Sequence, residues 1–125
     1  MTRTKTPQTT ETLYHSRIGL PDWFVAPTER VPLKWTYHAE IQRQEDRYGI
    51  IRRFKTATLG RLEVIEIGVR DNKVSKILFR GTFNERYDVC MVLIPGKNEW
   101  TVKTVWLNDK TDTHDTLNPA RYATA

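Results

Sequence analysis

The sequence predicts an α+β domain: an N-terminal arm and one or two helices packed on a four-stranded antiparallel meander. Three observations carry that reading. A helical stripe of larger residues runs from Tyr37 to Tyr48. After Gly60 the pattern turns to short runs rich in β-branched and aromatic residues. Brief polar turns containing Asn, Asp, Pro or Gly separate those runs.

Residues 1–12 are threonine-rich and nearly devoid of apolar groups, so they are expected to be a disordered tail. Residues 13–34 carry prolines at 21, 27 and 32, which break any long helix. They also hold Ile18, Leu20, Trp23, Phe24 and Val25, and an extended arm wrapped on the core accounts for both features. Residues 35–122 are then one domain. Thr36 suits a helix N-cap. Tyr37, Ile41, Gln44 and Tyr48 make one stripe of the helix, with His38, Gln42, Glu45 and Asp46 on a more polar neighbouring face. Gly49 suits the residue after the helix end. A second short helix is expected through Ile50, Ile51 and Phe54.

The four strands follow. Leu62 to Val69 is rich in β-branched residues, and Asp71-Asn72-Lys73 turns it into Val74 to Thr82. Asn84-Glu85-Arg86 leads into Tyr87 to Ile94, whose nearly continuous apolar run marks a central strand. Pro95 to Glu99 is a hairpin turn, and Trp100 to Leu107 closes the meander. The tail Asp109–Tyr122 contains Leu117, Pro119 and Tyr122, residues that a frayed end has little need of. It is expected to fold back over the sheet and bring His114 toward His38 and Arg80.

The chain of 125 residues fits one core, and its net charge of +5 favours an acidic partner such as nucleic acid. One cysteine, Cys90, sits in an apolar run; no intrachain disulfide is possible, which suits a reducing cytoplasm. The apolar runs are too short to span a membrane, and no apolar leader is visible, so a cytoplasmic protein is expected.

No phosphate-binding Gly-rich loop, dinucleotide fingerprint or Cys-x-x-Cys occurs, and Ser16 and Ser75 lie in no nucleophile motif. Asp112-Thr-His114-Asp115 lacks a second histidine at ligand spacing, so neither metal nor cofactor is expected. Histidine combined with cationic groups remains, a set that suits metal-independent RNA cleavage. There the 2′-hydroxyl is the nucleophile, and the protein supplies a base, an acid and positive charge. His38, near a helix start, is the first candidate for proton transfer, and His114 is the second. Asp112 and Asp115 would raise the His114 pKa if close. Arg80 and Arg47 are candidates for stabilising the phosphorane, although Arg47 is about half a turn round the helix from His38. The Thr104 hydroxyl can position a phosphate. Arg43, Arg52, Arg53, Lys55 and Lys76 are candidate nucleic-acid contacts. Tyr48, Trp100 and Trp106 can stack bases. Each of these residues also has a plain reading: solvated charges, strand-forming threonine, core aromatics, an exposed tail histidine.

The segments His38-Ala39…Gln42…Arg47-Tyr48-Gly49-Ile50 and Val102-Lys103-Thr104-Val105-Trp106 resemble motifs of small ribonuclease-toxin-like proteins of the barnase–EndoU–colicin–RelE superfamily. The closer likeness is to their phage- and mobile-element-encoded members, and the tail Asn108…Asp112-x-His114-x-x-Leu117…Arg121-Tyr122 adds to it. The likeness covers about residues 36–122. It implies a metal-independent endoribonuclease that leaves 2′,3′-cyclic phosphate ends, with RNA as substrate and an antitoxin or host protein as partner. It equates His38 with the family's N-terminal histidine and Thr104 with its closing-strand threonine. Arg47 fits the family arginine only across the inserted Tyr48. The alternatives are a non-catalytic phage or mobile-element protein that binds nucleic acid or a host protein, and an oligomerising protein that packs through its Pro/Trp-rich arm.

Overall fold

A computed structural model describes residues 10–44, 54–112 and 118–124. Its centre is a single seven-stranded sheet in the order β1-β4-β5-β6-β7-β2-β3. The strands are β1 (Thr12–His15), β2 (Arg30–Trp35), β3 (Thr56–Thr58), β4 (Glu63–Arg70), β5 (Lys73–Thr82), β6 (Tyr87–Ile94) and β7 (Trp100–Asp109). Among the described residues the one α-helix is α1 (Tyr37–Gln44). The expected α+β architecture is therefore corrected: the sheet is larger, it is mixed, and helix is a minor component. The expected second helix falls partly outside the described residues, and Phe54 within it is not helical.

The expected meander is present as β4 to β7. The β4–β5 turn places Asp71 and Asn72 at φ 53° and 59°. Two successive left-handed residues match the right-handed twist of the flanking strands, and Asp and Asn tolerate that conformation better than most. At the β5–β6 turn the Asn84 side-chain oxygen accepts from the backbone N–H groups of Arg86 and Tyr87. This gives a polar loop an internal partner.

The additional strands come mainly from the arm. β2 alternates: Arg30, Pro32 and Lys34 are exposed, while Val31, Leu33 and Trp35 are buried. Its second half pairs in parallel with β7, Leu33 opposite Trp100 and Trp35 opposite Val102. Its first half pairs with β3. Pro32 donates no backbone hydrogen bond, and it sits where the ladder runs on one side only. β1 pairs with β4 at the other end of the sheet, Tyr14 opposite Ile67 and His15 opposite Glu66.

One face of the sheet holds the core. Ile67, Ile77, Phe79, Leu93, Val102 and Val105 are at most 2% exposed and pack with Val31, Leu33 and Trp35. Burying each such side chain contributes roughly 1.5–3 kcal/mol, so this layer dominates the folding energy. α1 covers the core face of β7. The Thr36 hydroxyl caps it by accepting from the Ala39 N–H at 3.1 Å, and Ala39 is the fully buried contact. Tyr37, expected in the packing stripe, is 82% exposed instead. The small Ala39 lets the helix approach the sheet closely, which turns Tyr37 outward. No helix among the described residues is long and apolar enough to cross a membrane.

Candidate functional site

The opposite face of the sheet forms a groove. Leu78 and Arg80 of β5, Cys90 and Val92 of β6, and Thr104 and Trp106 of β7 lie side by side across it, because Leu78 pairs with Val92 and Val92 with Thr104. Arg80 pairs in the same way with Cys90, and Cys90 with Trp106. Two adjoining hollows of about 440 and 460 Å³ occupy this face. Both are lined by His15, Ile65, Leu78 and Trp106, so they form one depression with Trp106 in its floor. The residues after the sheet border it as well, through Asp112 at one end and Asn118, Arg121 and Tyr122 at the other.

Arg80 is held firmly at one end. Its Nε donates to Asp88 Oδ2 at 2.7 Å, and its Nη2 donates to the carbonyls of Asp109 and Asp112. Lys110 Nζ donates to the other Asp88 oxygen at 2.8 Å. Lys110, followed by Arg80, holds the Asp88 carboxyl below the usual carboxylate range, against the opposing effect of burial. One carboxylate thus serves two cations, and with Arg17, Glu63 and Asp112 also lining this hollow its formal charges balance.

At the other end Tyr122 crosses from the tail onto β4. Its hydroxyl donates to Glu66 at 2.5 Å. Burial and the Glu66 carboxylate push its phenol up to about 12. His15 meets the Tyr122 ring edge-on, with centroids 5.0 Å apart. Burial lowers the His15 pKa, partly offset by Glu66. Cys90 lines the groove, but burial pushes its thiol up to about 11, which makes it a poor nucleophile at neutral pH.

The structure brings together Arg80, Thr104 and Lys76, which all line this depression. Lys76 also pairs with Glu11 at 3.0 Å. His38 is not with them: it is exposed on α1, which packs on the core side of the sheet. Lys55 is exposed just before β3. Arg43 lies on α1. Arg47, Arg52, Arg53 and His114 fall outside the described residues, as does Tyr48. Trp100 packs against Phe79 in the core, whereas Trp106 is in the groove. Groove residues that escaped sequence reasoning include His15, Asp88, Lys110 and Glu66, the carboxylate partner of Tyr122. Asp88 had left a signal, a lone charge at the start of the apolar run Tyr87–Ile94. His15 left none, because nothing local marks Thr12–His15 as the partner of a strand some fifty residues later.

Among the described residues no three His, Cys, Asp or Glu side chains gather as a set of metal ligands. The chain matches no protein-family model, no curated protein sequence and no solved structure.

Proposed function

We propose that this chain is an RNA-acting domain whose groove holds a single strand, and that it acts as a metal-independent endoribonuclease leaving 2′,3′-cyclic phosphate ends. The observation that carries the reading is the fixed Arg80 guanidinium in a hollow that Trp106 also lines, with Thr104 in the adjoining hollow. A stacking platform next to an oriented guanidinium fits a base and its phosphate. Preorganised positive charge is what a phosphorane requires. His114, outside the described residues, remains the proton-transfer candidate of the tail. His38 stands across the sheet and takes no part. An inhibitory antitoxin or a host protein is a partner that such an activity would call for.

The test is incubation of the purified chain with total RNA in EDTA, followed by analysis of fragment ends. Cyclic phosphate ends are expected, lost in Arg80→Met and His114→Ala and retained in His38→Ala. Intact RNA, or cutting unchanged by Arg80→Met, overturns the catalytic reading. A second reading is favoured by the Arg80 contacts themselves. A guanidinium already shared among Asp88 and two carbonyls is suited to positioning a strand without turnover. Salt-dependent binding of RNA with no product would select that non-catalytic protein.

A further inference from the structure

His15 is the one titratable side chain that borders both halves of the groove and is itself 8% exposed. Its ring is fixed from two sides, above a backbone tied into a tight turn. His15 ends β1, and its carbonyl accepts from the N–H groups of Ile18 and Gly19, which closes a tight turn. Within that turn the Arg17 N–H donates to His15 Nδ1 at 3.1 Å. Tyr122 packs edge-on against the ring and is tied in turn to Glu66, the residue opposite His15 on β4.

The tautomer follows from these contacts. A ring nitrogen that accepts a backbone N–H carries no proton, so the neutral imidazole bears its proton on Nε2. Nε2 has no hydrogen-bond partner among the described residues. Yet no buried side-chain nitrogen or oxygen among them is left without one. Nε2 is therefore not sealed in the fold, and His15 lines both hollows of the groove. A neutral ring with Nδ1 occupied is a poor base, since the only lone pair is already engaged. It is a well-oriented donor.

We infer that His15 is a binding residue of the groove, a fixed Nε2–H donor to a phosphate oxygen of the RNA backbone, in the hollow that Arg80 also lines. This rests on the RNA reading above and adds a second anchor to it. Two donors lining one hollow with Trp106 would hold the backbone beside a stacked base. The neutral state of the ring suits the task. A neutral donor adds hydrogen-bond geometry without a further charge, and it leaves Glu66 free to hold Tyr122.

Asparagine and glutamine separate the two nitrogens. In His15→Asn the side-chain oxygen can still accept from Arg17 N–H, and the outer donor is gone. In His15→Gln the amide nitrogen reaches the Nε2 position, and the turn loses its acceptor. The probe is a fluorescein-labelled 12-nucleotide 2′-O-methyl RNA of mixed sequence, which lacks the attacking hydroxyl and so reports binding alone. Anisotropy is expected to show Kd about tenfold weaker for His15→Asn, the size of one hydrogen bond to a charged group. Its melting temperature should stay near that of the unsubstituted chain. His15→Gln should bind within about threefold and melt lower. Imidazole ¹⁵N spectra of the unsubstituted chain should show the Nε2–H tautomer, with that resonance shifting on addition of the oligonucleotide. Unchanged affinity in His15→Asn, or an Nδ1–H tautomer, overturns this inference while leaving the RNA reading standing. Failure of the unsubstituted chain to bind the oligonucleotide at low salt overturns both.

Discussion

Replacing Asp88 with asparagine removes the anion on which Arg80 and Lys110 converge. The carboxylate accepts from Arg80 at 2.7 Å and from Lys110 at 2.8 Å, and the Arg80 and Asp88 side chains are only 17% and 16% exposed. Exposed ion pairs contribute under about 1 kcal/mol, whereas breaking a buried one costs roughly 3–5 kcal/mol. This pair lies between those limits. Arg80 keeps two backbone carbonyls after the change, and Lys110, 32% exposed, can turn to water. The expected loss is therefore about 2 kcal/mol. Unfolding entropy near 2.1 cal/mol/K per residue gives roughly 0.26 kcal/mol/K for 125 residues, so Tm should fall by about 8 °C. The effect has a sign in pH. The folded-state pKa of Asp88 is depressed, so its contribution is complete above the unfolded value near 3.9 and disappears as pH falls through the folded value. Thermal melts followed by circular dichroism at pH 7 and at steps down to about pH 2.5 check both claims. A loss below about 0.5 kcal/mol at pH 7 would refute the reasoning, as would a gap between the two proteins that does not narrow as the pH falls below the unfolded value.

Tyr122→Phe removes the hydroxyl bond to Glu66. Because the folded phenol is raised to about 12, its contribution is present below pH 10 and lost as pH rises toward 12. Alkaline melts of Tyr122→Phe should therefore be flatter over that window. Cys90, raised to about 11, should react with iodoacetamide at pH 8 far more slowly than a free thiol; a rate equal to that of free cysteine would show that β6 opens readily. Phe79→Ala, at a side chain 1% exposed and in ring contact with Trp100, should cost about 3–5 kcal/mol by denaturant titration.

The meander was legible because its signals are local. Tyr87–Ile94 has the expected bounds, and Asp71-Asn72 marks its turn in two residues. Arg80 could be placed on the polar face by period-two alternation alone, but alternation groups Thr104 with Val102, and only the register shift at Val92/Leu93 turns Val102 into the core and leaves Thr104 in the groove. The remaining strands were hidden for physical reasons. Pro32 breaks the look of a strand, yet Val31, Leu33 and Trp35 alternate around it, and their partner β7 lies almost seventy residues away. Such pairings depend on tertiary packing, which no window of the sequence contains. The expected site shared by His38 and Arg80 rests on the tail folding back over the sheet, and no local signal says which face the helix covers. Ala39 packs into the core, so the helix lies on the core side and His38 with it.

The parallel pairing of β2 with β7 and the docking of β1 on β4 also bear on how the chain acquires its order. Loop closure favours the meander β4–β7, whose neighbours are joined by short turns, before any contact of high sequence separation. β1 and the tail residue Ala123, whose N–H donates to the Leu13 carbonyl, are expected to dock late and to be released early. His15 and Tyr122 ride on those two segments. The groove wall would thus dissolve in a sub-global opening that leaves the Phe79 core intact. Amide exchange would register this as weak protection at residues 12–15 beside strong protection in β5 and β6.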